Sequence, residues 1–522
     1  MFHQPCNRRH FLQNAALFST GLVTSLAHAS LTRASVQTVK NEVVDALVIG
    51  SGFGGAVAAL RLGEAGINTV VLERGRRWQI TPEQDTFATF DKPDGRSTWL
   101  SKKTFYGTPI DVYTGVLEQQ AQENILVYCG AGVGGGSLVY NAITYQPTRE
   151  LFYKVFSDSI DYEELDQVYY PRVRSILNPA PIPPDILATP YYDRTRLFLE
   201  QATTAGFPNR LYDIAVDWNI VREEINGTKK PSAIIGQHWF GINSGAKNSL
   251  DRNYLAASEA TGFVEILPMH LATTITEVPG HGYQVLCSQI DETGETVVEK
   301  SFTCRYLFLA AGSMGTSKLL VKAKATGTLP KLNDYVGKYW GTNGDFFSVL
   351  SNLPPVSGKG GPAAAVLEHF DNPHGPVVLE DIPDPFGTEG TTQLLSLSIP
   401  QPKGTFRYDA ATDSVKLTWT GEPETVSAIK FTYSILKQKN PDINITISEE
   451  PSSAFTAHPL GGAVLGKVCD EYGQVMGYQG LYVVDGALIP GSTACTNPSL
   501  TIAALAERCM DRIICDITRK LR

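Results

Sequence analysis

Several hallmarks of specialised protein classes are missing from this sequence of 522 residues. After the first thirty residues, no uninterrupted apolar run reaches the length of about eighteen that a membrane-spanning helix needs, so we expect a soluble mature protein. The eight cysteines are scattered without a C-x-x-C pair, which predicts neither a metal site nor a disulfide framework. Lys and Arg number 44 against 53 Asp and Glu, so nucleic acid is not an expected partner.

The residues that are present describe an ordinary globular protein. Hydrophobic residues make up 43% of the chain, aromatic residues 10% and charged residues 19%, which provides enough apolar surface for a large core. This balance disfavours intrinsic disorder, collagen and coiled coil, and the length predicts about two or three domains.

The first 29 residues have the order of an export signal. Arg8 and Arg9 precede a mildly apolar run over residues 15–26, and the Ala-His-Ala sequence at 27–29 offers a cleavage site. The pattern predicts a twin-arginine signal over residues 1–29 and a bacterial protein exported to the periplasm or the medium. The alternative is a basic N-terminal arm in which the arginine pair occurs by chance.

A nucleotide-binding turn is predicted near the start of the mature chain. Residues 43–49 are rich in β-branched side chains and end in the G-x-G-x-x-G sequence of residues 50–55, which a helical pattern and a second strand, ending in Glu73, follow. In such a unit Gly50 permits the tight turn, Gly52 lets the backbone approach a pyrophosphate, and Gly55 allows close packing of helix on strand. The helix N-terminus attracts the phosphates.

Glu73 bears on which dinucleotide binds. It is placed to accept a hydrogen bond from a ribose 2′-hydroxyl and would repel the 2′-phosphate of NADP. This part of the sequence does not separate NAD from FAD, and the alternative of a glycine-rich loop without a ligand is also open. Three later stretches, at 129–137, 306–317 and 480–505, again combine apolar strands with glycine, which predicts that the chain returns to the same sheet.

Six motifs in one order carry a resemblance to a known family. They lie at residues 50–66, 132–139, 249–257, 304–315, 458–467 and 481–492. Together they resemble the glucose-methanol-choline (GMC) flavin oxidoreductases, and more narrowly the bacterial cholesterol oxidases that hold FAD without a covalent bond. The resemblance extends from about Val43 to Arg508 and implies an FAD-dependent alcohol oxidoreductase.

The resemblance also implies a fold and a domain organisation. We expect an α/β protein, α+β overall, with a Rossmann-like FAD-binding domain and an interleaved substrate domain built on an antiparallel sheet. The discontinuous FAD-binding domain is predicted over residues 41–80, 245–330 and 458–522, and the substrate-binding domain over 81–244 and 331–457.

The glycine motifs and the resemblance together give a predicted set of FAD-binding residues. This set comprises Gly50, Gly52, Phe53, Gly54, Gly55, Glu73, Gly132, Gly134, Gly135, Gly136, Ser137, Asn141, Gly312, Asp485, Gly486, Asn497 and Pro498.

Three catalytic positions follow from the resemblance. His458 and Asn497 fall where the family has the pair beside the flavin, and oxidation of an alcohol needs such a base or orienting group for the hydroxyl proton. Glu380 falls where steroid oxidases have the carboxylate that moves a ring double bond. Each residue also has a structural alternative, since most histidines are not catalytic, Asn before Pro is a natural turn residue, and a carboxylate can lie on a solvated face.

Two departures from the best-known cholesterol oxidases concern the reacting face. Residues 140–143 read Tyr-Asn-Ala-Ile where those enzymes have Asn-Gly-Gly-Met, and Asp381 directly follows Glu380. The first is expected to change bulk and hydrogen bonding, and the second to alter the proton affinity of Glu380.

The predicted reaction is oxidation of a sterol or steroid 3β-hydroxyl by FAD, with O2 as the final acceptor and H2O2 as product. A Δ5 to Δ4 double-bond shift would follow oxidation. The alternatives are a flavin dehydrogenase that uses another acceptor, a sterol-binding flavoprotein without catalysis, and an NAD-linked dehydrogenase. We also expect a monomer that contacts membrane surfaces transiently.

Overall fold

The computed structural model describes residues 41–158, 160–447 and 454–521. The predicted signal at residues 1–29 lies outside the described residues and stays a prediction. The α-helices are α1 (Phe53–Glu64), α2 (Arg149–Phe152), α3 (Tyr162–Glu164), α4 (Tyr170–Leu177), α5 (Pro184–Leu187), α6 (Asp193–Thr204), α7 (Trp218–Ile225), α8 (Tyr254–Ala260), α9 (Gly312–Ala325), α10 (Pro423–Lys439) and α11 (Pro498–Leu521).

The described chain also contains eighteen strands, which occur in groups between the helices. They are β1 (Glu42–Ile49), β2 (Thr69–Leu72), β3 (Leu117–Gln122), β4 (Ile125–Gly130), β5 (Asn209–Leu211), β6 (Val264–Leu267), β7 (His270–Val278), β8 (Gly282–Ile290), β9 (Thr296–Leu309), β10 (Phe346–Ser351), β11 (Ala365–His369), β12 (Val377–Ile382), β13 (Thr392–Ser398), β14 (Thr405–Asp409), β15 (Ser414–Thr418), β16 (Asn444–Ile447), β17 (Phe455–Thr456) and β18 (Leu481–Val483).

The first sheet has seven strands, of which β6, β2, β1, β9 and β18 pair in parallel. Its order is β6-β2-β1-β9-β8-β7, and β18 pairs in parallel with β9. Ile49 at the end of β1 lies opposite Leu72 of β2 and Leu309 of β9, so these strands end at one level. Because carboxyl ends of parallel strands meet at one edge, the segments that follow them converge there.

Close backbone contacts hold helix α1 over this edge. A Cβ atom on Gly54 would lie 1.8 Å from the carbonyl oxygen of Val484, and one on Gly50 would lie 2.3 Å from that of Ala310. Gly50 also has φ +99°, which an L side chain rarely adopts. The glycines therefore allow α1 to contact the ends of β9 and β18 directly.

The second sheet has six strands, is antiparallel throughout, and follows the order β16-β10-β13-β12-β11-β5. Side chains alternate between its faces. On β12, Val378 and Ile382 pack into the main core, whereas Val377 and Leu379 pack into a second core with helices α6 and α10. Glu380 shares the first of these faces, which turns it toward the parallel sheet.

Two smaller sheets complete the strand inventory of the described residues. Strands β17, β4 and β3 form one, and β14 pairs with β15 in the other. The structure confirms the predicted mixed α/β class with an antiparallel sheet, whereas the division into two interleaved domains stays a prediction. Within the described part of the chain, no helix has the length and apolar character required to span a bilayer.

The glycine contacts of α1 generate a test of the fold. We predict that Gly54→Ala lowers the free energy of unfolding by about 3 kcal/mol, because the new methyl group overlaps the Val484 carbonyl. Gly52→Ala is the matched control, since a Cβ there meets nothing within 4 Å and its φ of −70° suits alanine. Urea unfolding of the two cofactor-free proteins is the measurement, and equal midpoints would contradict the prediction.

Candidate active site

A cavity of about 510 Å³ opens at the carboxyl edge of the parallel strands. Gly50, Glu73, Ala310 and Asp485, which directly follow or nearly follow β1, β2, β9 and β18, all line it. The antiparallel sheet bounds it as well, through Phe347, Ile382 and Leu395. Both sheets therefore contribute walls to one cavity.

Three helices begin at this cavity. Phe53 of α1, Gly312 of α9 and Pro498 of α11 are the first residues of their helices, and each lines the wall. Amide groups in the first turn of a helix lack intrahelical partners and carry partial positive charge, which makes helix N-termini suited to anions. The arrangement fits the diphosphate of the predicted FAD.

The two glycine-rich segments contact each other at the cavity wall. A Cβ atom on Gly135 would lie 2.7 Å from the Cα of Gly52, and Gly135 has φ +53°. Gly52 itself has open space where a side chain would be. This contact therefore leaves bare backbone from both segments facing the cavity, as a close-fitting cofactor requires.

Ser51 joins these segments to Glu73. Its hydroxyl lies 2.6 Å from Oε2 of Glu73, to which it donates, and accepts from the amide of Gly134 at 3.1 Å. The amides of Ser51 and Gly75 also donate to the Glu73 carboxylate, at 3.1 and 2.9 Å. A carboxylate has about four acceptor positions, so Glu73 retains capacity for a ribose hydroxyl.

Asp485 occupies the end of β18. Its Oδ1 accepts from the amide of Ala487 at 2.8 Å and its Oδ2 from the hydroxyl of Thr316 at 2.5 Å. Burial raises the pKa of Asp485 to about 6 against the opposing effect of these hydrogen bonds. The residue thus ties the N-terminal turn of α9 to the cavity wall and offers a carboxylate to a bound polar group.

Tyr140 and Asn141 bring unpaired polar atoms to the same wall. Both residues line the cavity, and neither the Tyr140 hydroxyl nor Oδ1 of Asn141 has a partner within the described part of the chain. The Tyr140 ring packs edge-on against Phe53 with 5.6 Å between centroids. Because buried polar atoms are normally hydrogen-bonded, these orphaned atoms fit a site completed by a polar ligand.

His458 lies in the cavity wall with one ring nitrogen already bonded. Its Nδ1 is 2.7 Å from Oδ1 of Asp345, a carboxylate that is fully buried just before β10. The His458 side chain keeps 16% of its exposure, so the other ring nitrogen, Nε2, is left to face the cavity. Burial by itself lowers the pKa of His458, but the charge and hydrogen bond of Asp345, with the charge of Glu380, outweigh burial and raise that pKa.

Asn497 separates Glu380 from the cavity. Asn497 lines the cavity and its Nδ2 donates to Oε2 of Glu380 at 3.1 Å, whereas Glu380 is fully buried and does not line it. Among the described residues, Oε1 of Glu380 and Oδ1 of Asn497 have no partner. Burial raises the pKa of Glu380 to about 8, in spite of Asn497 and His458, which lower it.

Asp381 serves a different part of the structure. It turns to the opposite face of β12, where Thr195 donates to it and Arg194 approaches at 3.4 Å. Backbone amides of Ala364 and Ala365 complete its contacts at 3.2 and 2.7 Å. Its charge is nevertheless one of the causes that raise the pKa of Glu380, as the sequence predicted.

The structure gathers most of the predicted site residues around the cavity. Those that line it are Gly50, Gly52, Phe53, Gly54, Glu73, Gly135, Gly136, Asn141, Gly312, His458, Asp485, Gly486, Asn497 and Pro498. Those that lie behind its wall are Gly55, Gly132, Gly134, Ser137 and Glu380. Gly55 packs against Gly50, where a Cβ would lie 2.0 Å from the Gly50 carbonyl oxygen, and the Ser137 hydroxyl accepts from the Leu250 amide.

Two contacts of the site were not predicted from the sequence, that of Ser51 with Glu73 and that of Asp345 with His458. Ser51 stands inside the glycine motif, where attention falls on the glycines, and its bond to Glu73 crosses 22 residues. Asp345 is 113 residues from His458, and no local motif distinguishes it from the other acidic residues. Only the tertiary packing that places the residue before β10 beside residues 456–458 reveals the second contact.

Two family models match parts of the chain. The model for GMC oxidoreductases matches residues 400–506, and a model for an FAD binding domain matches residues 45–82. These matches confirm the predicted family resemblance and FAD as the cofactor.

Relatives of similar length extend the comparison to nearly the whole chain. The chain is 28% identical to a cholesterol oxidase of Mycobacterium tuberculosis, over 89% of this chain and 90% of the relative. It is 25% identical to a cholesterol oxidase of Acinetobacter baumannii, over 91% and 95%. In fold it is similar to the crystal structure of pyridoxine 4-oxidase from Mesorbium loti, with a TM-score of 0.63 at 14% identity, over 90% and 99% of the two chains.

The Ser51 contacts give a test of the cofactor cradle. Ser51→Ala removes the bond to Glu73 and leaves the buried Gly134 amide without its acceptor, a loss of about 1–3 kcal/mol. We therefore predict that FAD binds about tenfold more weakly, as measured by fluorescence titration of the apoprotein. Ser175→Ala is the control, because that exposed hydroxyl contacts only the Arg172 carbonyl among the described residues. Unchanged affinity in the Ser51 variant would contradict the prediction.

Proposed function

Because the matches identify the chain as an FAD-dependent alcohol oxidoreductase similar to the GMC family, we propose that it oxidises the 3β-hydroxyl of a sterol or steroid. The observation that carries this proposal is a large cavity lined by both His458 and Asn497. Its wall also bears the residues at the ends of β1, β2, β9 and β18, so the flavin and the substrate would share one space.

An aromatic wall supports an apolar substrate. Four aromatic side chains line the cavity and contact one another. The ring centroids of Phe347 and Phe455, which are stacked, lie 4.1 Å apart, and those of Tyr128 and Trp239 lie 5.9 Å apart. Leu395 and Ile382 extend this wall. Such a surface gains free energy by burying a large apolar molecule.

His458 is proposed to hold the reacting hydroxyl. With Nδ1 directed to Asp345, a neutral His458 presents the lone pair of Nε2 to the cavity. An alcohol hydroxyl bonded to that nitrogen transfers its proton to it as the C–H bond breaks. FAD, when bound, would accept the hydride that leaves the carbon and with it both electrons, and O2 would then take up those two electrons and two protons to give H2O2.

Asn497 is proposed to orient the same hydroxyl. The Nδ2 group carries two hydrogens and Glu380 engages one of them, so the second N–H is left to donate to the alcohol oxygen. A second hydrogen bond, beside that of His458, fixes the alcohol in one orientation and reduces the entropy lost in reaching the transition state.

Glu380 is proposed to move the ring double bond after oxidation. This step needs a carboxylate that removes a proton from one carbon and returns it to another, and a pKa of about 8 allows a carboxyl group to do both near neutral pH. Glu380 contacts Asn497 and not the cavity itself, so the Asn497 side chain has to turn aside during this step.

Three further features belong to the same proposal. We propose export by the twin-arginine route, action as a monomer, and transient contact with membrane surfaces where sterols reside. Each derives from the sequence and the resemblance.

The proposed oxidation is tested by anaerobic bleaching of the bound flavin with a panel of 3β-hydroxysteroids and short alcohols. We expect steroids to bleach it and air to return one H2O2 per turnover. Failure of every steroid would contradict the proposal, and bleaching without peroxide would favour a dehydrogenase.

A histidine pair tests the role of His458. His458→Asn should slow flavin reduction by about 10²–10⁴-fold, because the proton acceptor is lost. His281→Asn, an exposed histidine in the turn between β7 and β8, should reduce flavin at the unaltered rate. Equal bleaching by both variants would refute the role given to His458.

The double-bond shift is tested separately with Glu380→Gln. We expect the variant to make ketone at a substantial rate but not the conjugated enone, whose ultraviolet absorbance is the measurement. In the unaltered protein the carboxylate form grows as the pH rises through about 8, so the ratio of enone to unconjugated ketone should increase with pH. Glu422→Gln is the control, because Glu422 is a buried carboxyl outside the cavity wall. A conjugated product from the Glu380 variant would remove this residue from the reaction.

A further inference from the structure

Asp345 accepts hydrogen bonds through both of its carboxylate oxygens. Oδ1 faces Nδ1 of His458 at 2.7 Å. Oδ2 accepts from the Thr456 hydroxyl at 2.8 Å and from the amides of Ala457 and His458 at 2.9 and 3.2 Å. The three partners at Oδ2 are all donors, so Oδ1 is the oxygen left to face Nδ1 of His458, and an acceptor at that position pairs with an Nδ1 that carries hydrogen.

Other histidines of the described chain lack this arrangement. His369 approaches Asp371 at 3.7 Å, but that carboxylate is 98% exposed. His270 bonds through Nδ1 to the Pro268 carbonyl. A carboxylate with no exposed surface is shielded from water and salt, so its effect on a bonded imidazole is far stronger than that of an exposed one.

We propose that Asp345 is a positioning residue for the oxidation, which fixes His458 in the tautomer with hydrogen on Nδ1 and a lone pair on Nε2. This inference depends on the alcohol oxidation assigned to the cavity, and not on the identity of the alcohol. The three donors at Oδ2 hold the carboxylate in place through the same segment, 456–458, that carries the histidine. Carboxylate and imidazole therefore keep their relative orientation as one unit.

Two other buried carboxyl groups, those of Glu380 and Glu422, lie near the pair formed by Asp345 and His458. Glu380, on β12, faces His458 and Asp345 from the antiparallel sheet and acts on both through its charge. Glu422 lies before α10, accepts from the Thr342 hydroxyl at 2.7 Å, and has Asp345 as one of its charged neighbours. Of the three, Asp345 alone is hydrogen-bonded to the imidazole among the described residues, which makes Glu422 a matched control for loss of a buried charge.

Asp345→Asn inverts the tautomer by simple donor matching. The side chain of the new asparagine has only one oxygen. The three donors at Oδ2, which are the Thr456 hydroxyl and the amides of Ala457 and His458, keep that oxygen in the Oδ2 position. Its NH2 group then faces Nδ1 of His458 and donates to it. The imidazole hydrogen moves to Nε2, and the ring nitrogen in the cavity can no longer accept a proton from the alcohol.

The test is nitrogen-15 NMR of histidine-labelled, FAD-loaded protein, with His458 assigned from its absence in His458→Asn. At a pH above its titration, we expect His458 to be protonated on Nδ1 in the unaltered protein and in Glu422→Gln, and on Nε2 in Asp345→Asn. Protonation on Nε2 in the unaltered protein would overturn the proposal without any variant. It would also fall if Asp345→Asn retained hydrogen on Nδ1.

Flavin reduction provides the second readout, with whichever alcohol of the panel bleaches the unaltered enzyme. We expect Asp345→Asn to reduce the rate constant at saturating substrate about 10²-fold or more, and Glu422→Gln to change it less than about threefold. A full rate in Asp345→Asn would overturn the proposal. If no steroid is a substrate, the steroid assignment fails, whereas the NMR result still decides the role of Asp345.

Discussion

The whole site depends on how closely the backbone of helix α1 approaches the ends of the parallel strands. Gly50 and Gly54 have no side chains, and carbonyl groups of Ala310 and Val484 occupy the space where those side chains would lie. The strand register places the ends of β1, β9 and β18 at one level, and the first residues of three helices line the cavity beside them. Cofactor binding is therefore a property of backbone geometry first, and of side chains such as Glu73 and Asp485 second.

Behind the part of the wall formed by His458 and Asn497, burial and hydrogen bonding set the properties of two carboxyl groups. Asp345 and Glu380 are carboxyl groups without exposed surface, yet their neighbours differ. Asp345 is surrounded by donors, whereas Glu380 has one donor, Asn497, and an Oε1 atom without a partner in the described chain. The donors fix the orientation of the Asp345 carboxylate, whereas burial favours the neutral form of Glu380, so the two groups are suited to different tasks.

Much of the cofactor side could be predicted from the sequence because its signals are local. The G-x-G-x-x-G turn and the acid at Glu73 occur within one β-α-β unit, and their spacing reflects the geometry directly. Gly132 and Ser137 were expected to touch the cofactor, but glycine and serine also serve turns behind a wall, and composition alone does not separate the two uses. Asp345 had no local signal, since its partner is distant in the chain and only the packing of two sheets joins them.

The parallel sheet is assembled from widely separated parts of the polypeptide, and this has a consequence for biosynthesis. Strand β18 and helix α11, which supply Asp485 and Pro498, leave the ribosome after every other wall of the cavity. A nascent chain that already displays the first glycine turn still lacks one side of its binding pocket. The complete flavin site therefore exists only once the C-terminal residues have been made and packed against the rest of the sheet.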